Sequence, residues 1–106
     1  MLINFICKEY YSMPIMKSAK KRLRQNIQQN LRNRTHRSAL RTQMKKFSSA
    51  LKEGNTQAAT EELRLTVKKL DTCAAEGILH KNTASRKKSR LTKKLNQIKA
   101  AAQKKT

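Results

Sequence analysis

Two long stretches of this chain carry many positive charges and no negative ones. Residues 17–46 hold eleven Lys or Arg without an acidic residue, and residues 81–106 hold ten on the same terms. The segment between them, residues 47–80, is nearly neutral: Lys52, Arg64, Lys68 and Lys69 stand against Glu53, Glu61, Glu62, Asp71 and Glu76. The 106-residue chain therefore reaches a net charge of +20, against a magnitude of roughly 2 to 8 for an ordinary small soluble domain. Charge at this density makes a compact state repel itself, so an anionic partner must normally offset it. Nucleic acid, an anionic membrane surface and an acidic protein are the classes to weigh.

The same blocks are marked out by helix punctuation. The chain has only two Gly and one Pro, and neither type occurs between Lys17 and Glu53. Ala, Leu, Lys, Arg and Gln, all good helix formers, dominate there. Gly54 followed by Asn55 reads as the end of one helix and the cap of the next, Gly77 closes the second, and Asn82-Thr83 can open a third. Helices are expected near 17–53, 56–76 and 82–103. Apolar periodicity supports them. In the third, Ala84, Leu91, Leu95, Ile98 and Ala102 share a face. In the second, Ala59, Leu63, Thr66, Val67, Leu70, Cys73 and Ala74 do so. The first carries two stripes, Leu23, Ile27 and Leu31, then Leu40, Met44, Phe47 and Leu51, about 130° apart at 3.6 residues per turn. The expected fold is all-α: a three-helix bundle with an extended first helix whose first half projects beyond it. Four aromatic residues, Phe5, Tyr10, Tyr11 and Phe47, are too few for most β architectures or base-stacking folds.

Residues 1–12 differ from the rest. Leu2, Ile3, Phe5 and Ile6 form an apolar run too short for a membrane span and without the layout of a signal peptide. The segment is expected to be a disordered extension or an over-called start, and residues 13–106 a single helical domain.

Catalytic and metal chemistry find no foothold. The glycines are isolated, so no phosphate loop exists. Cys7 and Cys73 lack metal-ligand spacing, and Cys73 lies on an apolar helix face as a reduced core thiol would. His36 and His80 are single, among lysines. Two S-x-x-K matches, at Ser18 and Ser85, lack the companion motifs of that nucleophile. The sequon at Asn33 falls inside a helix. Surface pairs such as Glu61 with Arg64 account for the acidic residues. No enzyme activity, cofactor, metal or small-molecule substrate is expected.

The basic segments remain. Solvated helix faces normally alternate in sign, and these do not. Their side chains offer the groups that bind phosphate and ribose oxygens: Lys17, Ser18, Lys20, Lys21, Arg22, Arg24, Arg32, Asn33, Arg34, Arg37, Arg41, Lys45 and Lys46 in the first, and His80, Lys81, Asn82, Arg86, Lys87, Lys88, Arg90, Lys93 and Lys94 in the third. On the third helix Arg86, Arg90 and Lys93 point away from the apolar face, while Lys87, Lys88 and Lys94 flank it. Charge spread over several helices suits a site enclosed by RNA better than a duplex reader with one recognition face. A nucleoid-type DNA-binding protein is the alternative. A membrane-binding amphipathic helix would need bulkier apolar residues opposite the charge.

Particular motifs sharpen this. Lys17-Ser18-Ala19-Lys20-Lys21-Arg22, Leu31-Arg32-Asn33-Arg34, Ser38-Ala39-Leu40-Arg41-Thr42 and Lys45-Lys46-Phe47 are followed, after Gly77, by Ile78-Leu79-His80-Lys81-Asn82-Thr83-Ala84-Ser85-Arg86-Lys87-Lys88-Ser89-Arg90-Leu91. From about Met13 to Ala102 the chain resembles the bacterial small-subunit ribosomal protein family numbered twenty. The resemblance implies a three-helix bundle with an extended first helix, bound directly to 16S ribosomal RNA near the bottom of the subunit body. It implies a ribosome-bound protein, cytoplasmic or, as the alternative, of an organellar ribosome, that is a monomer in the particle. Two departures stand out: Ile27-Gln28-Gln29-Asn30 lies where family members often carry more charge, and the family usually starts close before Lys-Ser-Ala, which makes Met13 the natural start.

Overall fold

A computed structural model describes residues 15–105. The expectations for residues 1–12 and for Cys7 lie outside the described residues. Three helices follow in order: α1 (Lys17–Lys52), α2 (Thr56–Ala75) and α3 (Lys81–Lys104). The described residues contain no strand, and the helices run within about two residues of the ranges read from the sequence.

The two glycines end α1 and α2 by the same device. Gly54 and Gly77 adopt φ of +73° and +75°, a region that costs other residues strain. After α2 the geometry is a Schellman motif. The Gly77 N–H donates to the Ala74 carbonyl at 3.2 Å and the Ile78 N–H to the Cys73 carbonyl at 2.9 Å. The reversal carries Ile78 into the core. Asn55 caps α2 as expected, its Oδ1 accepting from the Ala58 N–H at 3.2 Å. The start of α3 differs from the expectation. His80, not Asn82 or Thr83, is the N-cap, and its Nδ1 accepts from the Asn82 N–H at 3.2 Å. Placing His80 in extended backbone lets Lys81 open the helix.

The chain divides between Asn33 and Arg34 into two compact units. In the first, residues 17–33 of α1 bury no side chain, and Ile27 and Leu31 are 52% and 60% exposed. In the second, Leu40, Phe47 and Ala50 of α1 meet Ala59, Leu70 and Cys73 of α2, Ile78 of the α2–α3 turn, and Ala84, Leu91 and Leu95 of α3. Phe47, Leu70 and Thr66 are its largest fully buried side chains. The Thr66 hydroxyl is satisfied by donating to the Glu62 carbonyl at 2.7 Å.

One buried residue, Gln43, was not expected inside. Its Nε2 donates to the Glu62 carboxylate, and its Oε1 accepts from Lys69 Nζ at 3.2 Å. A buried amide with both ends satisfied by α2 ties α1 to one rotational setting against that helix. Two further contacts fasten α1 to the end of α2: His36 Nε2 lies 3.5 Å from Glu76 Oε2, and Arg37 Nη2 donates to the Ile78 carbonyl at 3.2 Å. Glu62, Asp71 and Glu76 thus reach across to other elements, with Asp71 accepting from Lys88 of α3.

Candidate nucleic-acid interface

The basic residues of α1 are exposed because its core-facing arc is narrow. From Arg34 onward, α1 turns only Leu40, Gln43, Phe47 and Ala50 fully inward. Lys17, Lys20, Lys21, Arg22, Arg24, Arg32, Arg34, Arg37, Arg41, Lys45 and Lys46 are all exposed, as is Ser18, while Asn33 is half-buried. On α3, Arg86, Arg90 and Lys93 point to solvent, as their helical projection requires. Lys87 and Lys88 are half-buried beside the core, where their stems cover apolar surface. Lys94, expected to flank the core with them, is exposed. The core narrows toward the end of α3: Leu95 is its last fully buried residue, Ile98 is half-covered and Ala102 is exposed.

The structure also separates the cations by what they already hold. Lys88 is engaged by Asp71. Arg37 spends one N–H on Ile78, which holds its guanidinium against the turn. His80 uses Nδ1 as a cap acceptor and is itself exposed, as are Lys81 and Asn82.

Two grooves gather several of the second unit's cations. The first, of about 490 Å³, is lined by Arg37, Leu40, Arg41, Met44, Lys45 and Ser48 of α1, Leu79 of the turn and Lys87 of α3. The second, of about 560 Å³, runs along the other side of α1 and is lined by Arg34, Thr35, Ser38, Ala39, Thr42, Gln43 and Lys46 together with Lys69 of α2. Neither lining includes a carboxylate. Lys69 was missed at the sequence level because it belongs to the near-neutral segment. The usable signal was its place beside Leu70, which sets it at the edge of the α2 core face, where a long side chain can reach α1.

No group of His, Cys, Asp and Glu among the described residues is arranged to hold a metal ion. Burial pushes the Cys73 thiol above its ordinary pKa, with Glu76 adding to the shift and Lys69 opposing it. That protonated, buried sulfur is a core group and not a nucleophile. No described helix is long and apolar enough to cross a membrane. What the geometry offers is a set of donors and positive charges on helices, suited to holding phosphate oxygens.

Comparison with known proteins gives the same direction. The sequence profile described as Ribosomal protein S20 matches residues 14–96. The chain is 49% identical over 84 residues to "Small ribosomal subunit protein bS20" of Heliobacterium modesticaldum, covering 79% of this chain and 96% of that protein. It is 50% identical over 82 residues to the protein of the same name from Carboxydothermus hydrogenoformans, covering 77% and 88%. It is 45% identical over 86 residues to that of Natranaerobius thermophilus, covering 81% and 98%. The three-helix order, the acid-free α1 and α3 and these matches agree, and the chain belongs to the ribosomal protein S20 family.

Proposed function

We propose that this protein is a structural constituent of the small ribosomal subunit in the cytoplasm, that it binds 16S ribosomal RNA directly, and that it stands there as a monomer. Membership of a ribosomal protein family makes it a structural, non-enzymatic component. The observation that carries the RNA reading is the exposure of nearly every Lys and Arg on two helical segments that contain no acidic residue. The mechanism is electrostatic. Cations on α1 and α3 displace counterions from RNA phosphates and let closely packed RNA helices approach one another during assembly. The near-neutral α2 supplies the core against which both basic helices are held. The RNA-facing set comprises Lys17, Ser18, Lys20, Lys21, Arg22, Arg24, Arg32, Asn33, Arg34, Arg37, Arg41, Lys45 and Lys46 from α1. His80, Lys81, Asn82, Arg86, Lys87, Lys88, Arg90, Lys93 and Lys94 complete it at and along α3. Within that set Lys88, already paired with Asp71, contributes least.

Sedimentation tests the reading. The tagged protein expressed in a bacterial host should travel with the small ribosomal subunit on a gradient and crosslink to 16S ribosomal RNA. Recovery at the top of the gradient, or with nucleoid DNA, would refute it.

A further inference from the structure

The groove between α1 and α3 differs in kind from the outward face of α3. Arg86, Arg90 and Lys93 project from a convex helix surface, which can meet an RNA helix only from outside. The groove has two walls. Arg37, Arg41 and Lys45 follow one another at four-residue intervals on α1, each about 6 Å further along the axis. Lys87 faces them from α3, and Leu40, Met44 and Leu79 lie between. The Arg37 guanidinium is held in place by the Ile78 carbonyl at 3.2 Å, with its remaining N–H groups left for an incoming acceptor.

The step along α1 is comparable with the distance between neighbouring phosphates on one RNA strand. A volume of about 490 Å³ takes a single strand, whereas a double helix would meet only the rim. The apolar floor suits ribose and base edges. No aromatic residue lines the groove, so bases find no stacking platform and the affinity comes from the backbone, without sequence preference. Resting on the RNA reading above, we propose that this groove holds the sugar–phosphate backbone of one RNA strand, with Arg37, Arg41 and Lys45 on successive phosphates and Lys87 closing from the opposite wall. The bundle then grips RNA in two ways, a strand in the groove and a helix surface against Arg86, Arg90 and Lys93.

Lysine acylation read by mass spectrometry tests this on the full chain, with 16S ribosomal RNA and with a short oligouridylate as separate probes. Ribosomal RNA should protect Lys45, Lys87 and Lys93, and oligouridylate should protect Lys45 and Lys87 while leaving Lys93 reactive. Protection of Lys93 by ribosomal RNA with Lys45 and Lys87 still reactive would overturn the groove alone. Protection of no lysine by ribosomal RNA would overturn the RNA reading and the groove with it. An oligoglutamate peptide that protects Lys45 and Lys87 as well as oligouridylate does would reduce the site to bare charge and overturn the strand assignment. In binding assays, the variant Arg41→Gln/Lys45→Gln/Lys87→Gln should lower the slope of log affinity for oligouridylate against log salt by about 2, at about 0.7 per phosphate on a single strand. The control Lys52→Gln/Arg64→Gln/Lys68→Gln, which removes three exposed cations outside the RNA-facing set, should keep the slope. Equal slopes for the two variants would refute the groove.

Discussion

Replacing Phe47 by Ala tests the core of this fold directly. Phe47 is 0% exposed and is the one aromatic residue in the core among the described residues. A buried Phe→Ala change costs about 3–5 kcal/mol, from lost transfer energy and from the cavity left behind. The neighbouring buried residues include Ala50, Ala59 and Ala84, whose single methyl groups cannot move in to refill the space. Marginal domains have about 5 kcal/mol to lose, and the self-repulsion of a +20 chain places this protein at that end. The free variant should therefore keep only about 0–2 kcal/mol of stability, with up to about half of the helical circular dichroism signal lost and unfolding by urea that starts from the first additions. RNA should restore it, because a ligand bound only by the folded state at about 1,000 times its Kd contributes about 4 kcal/mol. Helicity regained on adding 16S ribosomal RNA, with apparent affinity weakened by the unfolded fraction, is the expected result. A urea midpoint shifted by the equivalent of about 0.5 kcal/mol or less, the size of a surface substitution, would refute this account of the core.

Three further outcomes follow from the same geometry. Changing Arg86, Arg90 and Lys93 together to Glu should abolish binding of 16S ribosomal RNA while helicity of the free protein holds or rises, whereas Leu91→Asp, at a site 7% exposed, should lower helicity first by burying an unpaired charge; filter binding and circular dichroism on both separate the two faces. Hydrogen exchange on the free protein should show weak protection over residues 17–33, which bury no side chain, and strong protection over α2; equal protection in both would contradict it. Cys73, 3% exposed and with its thiol pKa raised by burial, should react with iodoacetamide slowly in the parent and rapidly in Phe47→Ala, and fast labelling of the folded parent would show the core to be open.

The helices were legible because their ends are written in residue types with few other uses. Gly54 and Gly77 supply positive φ, and Asn55 supplies a side-chain acceptor. Lys17 to Glu53 offers nothing to interrupt a helix. The cap at His80 was not legible, since imidazole is an uncommon cap acceptor and Asn82 stood two residues on as the better candidate by type. Burial of Gln43 was hidden for another reason. A lone amide on the flank of an apolar stripe reads as surface until Glu62 and Lys69, supplied by a different helix, are brought to it. The exposed basic faces followed from periodicity alone, as Arg86, Arg90 and Lys93 show. The groove did not, because Arg41 and Lys87 become neighbours only through the docking of α3 beside α1, and no local pattern encodes that angle.

The central claim is that phosphate neutralisation by α1 and α3 drives binding, and the salt dependence of affinity for 16S ribosomal RNA tests it most directly. If about 6–10 phosphates are engaged, affinity should fall about 10³–10⁵-fold between about 50 and 200 mM salt, with the duplex-DNA relation as an upper guide. An affinity that barely changes over that range would contradict the claim.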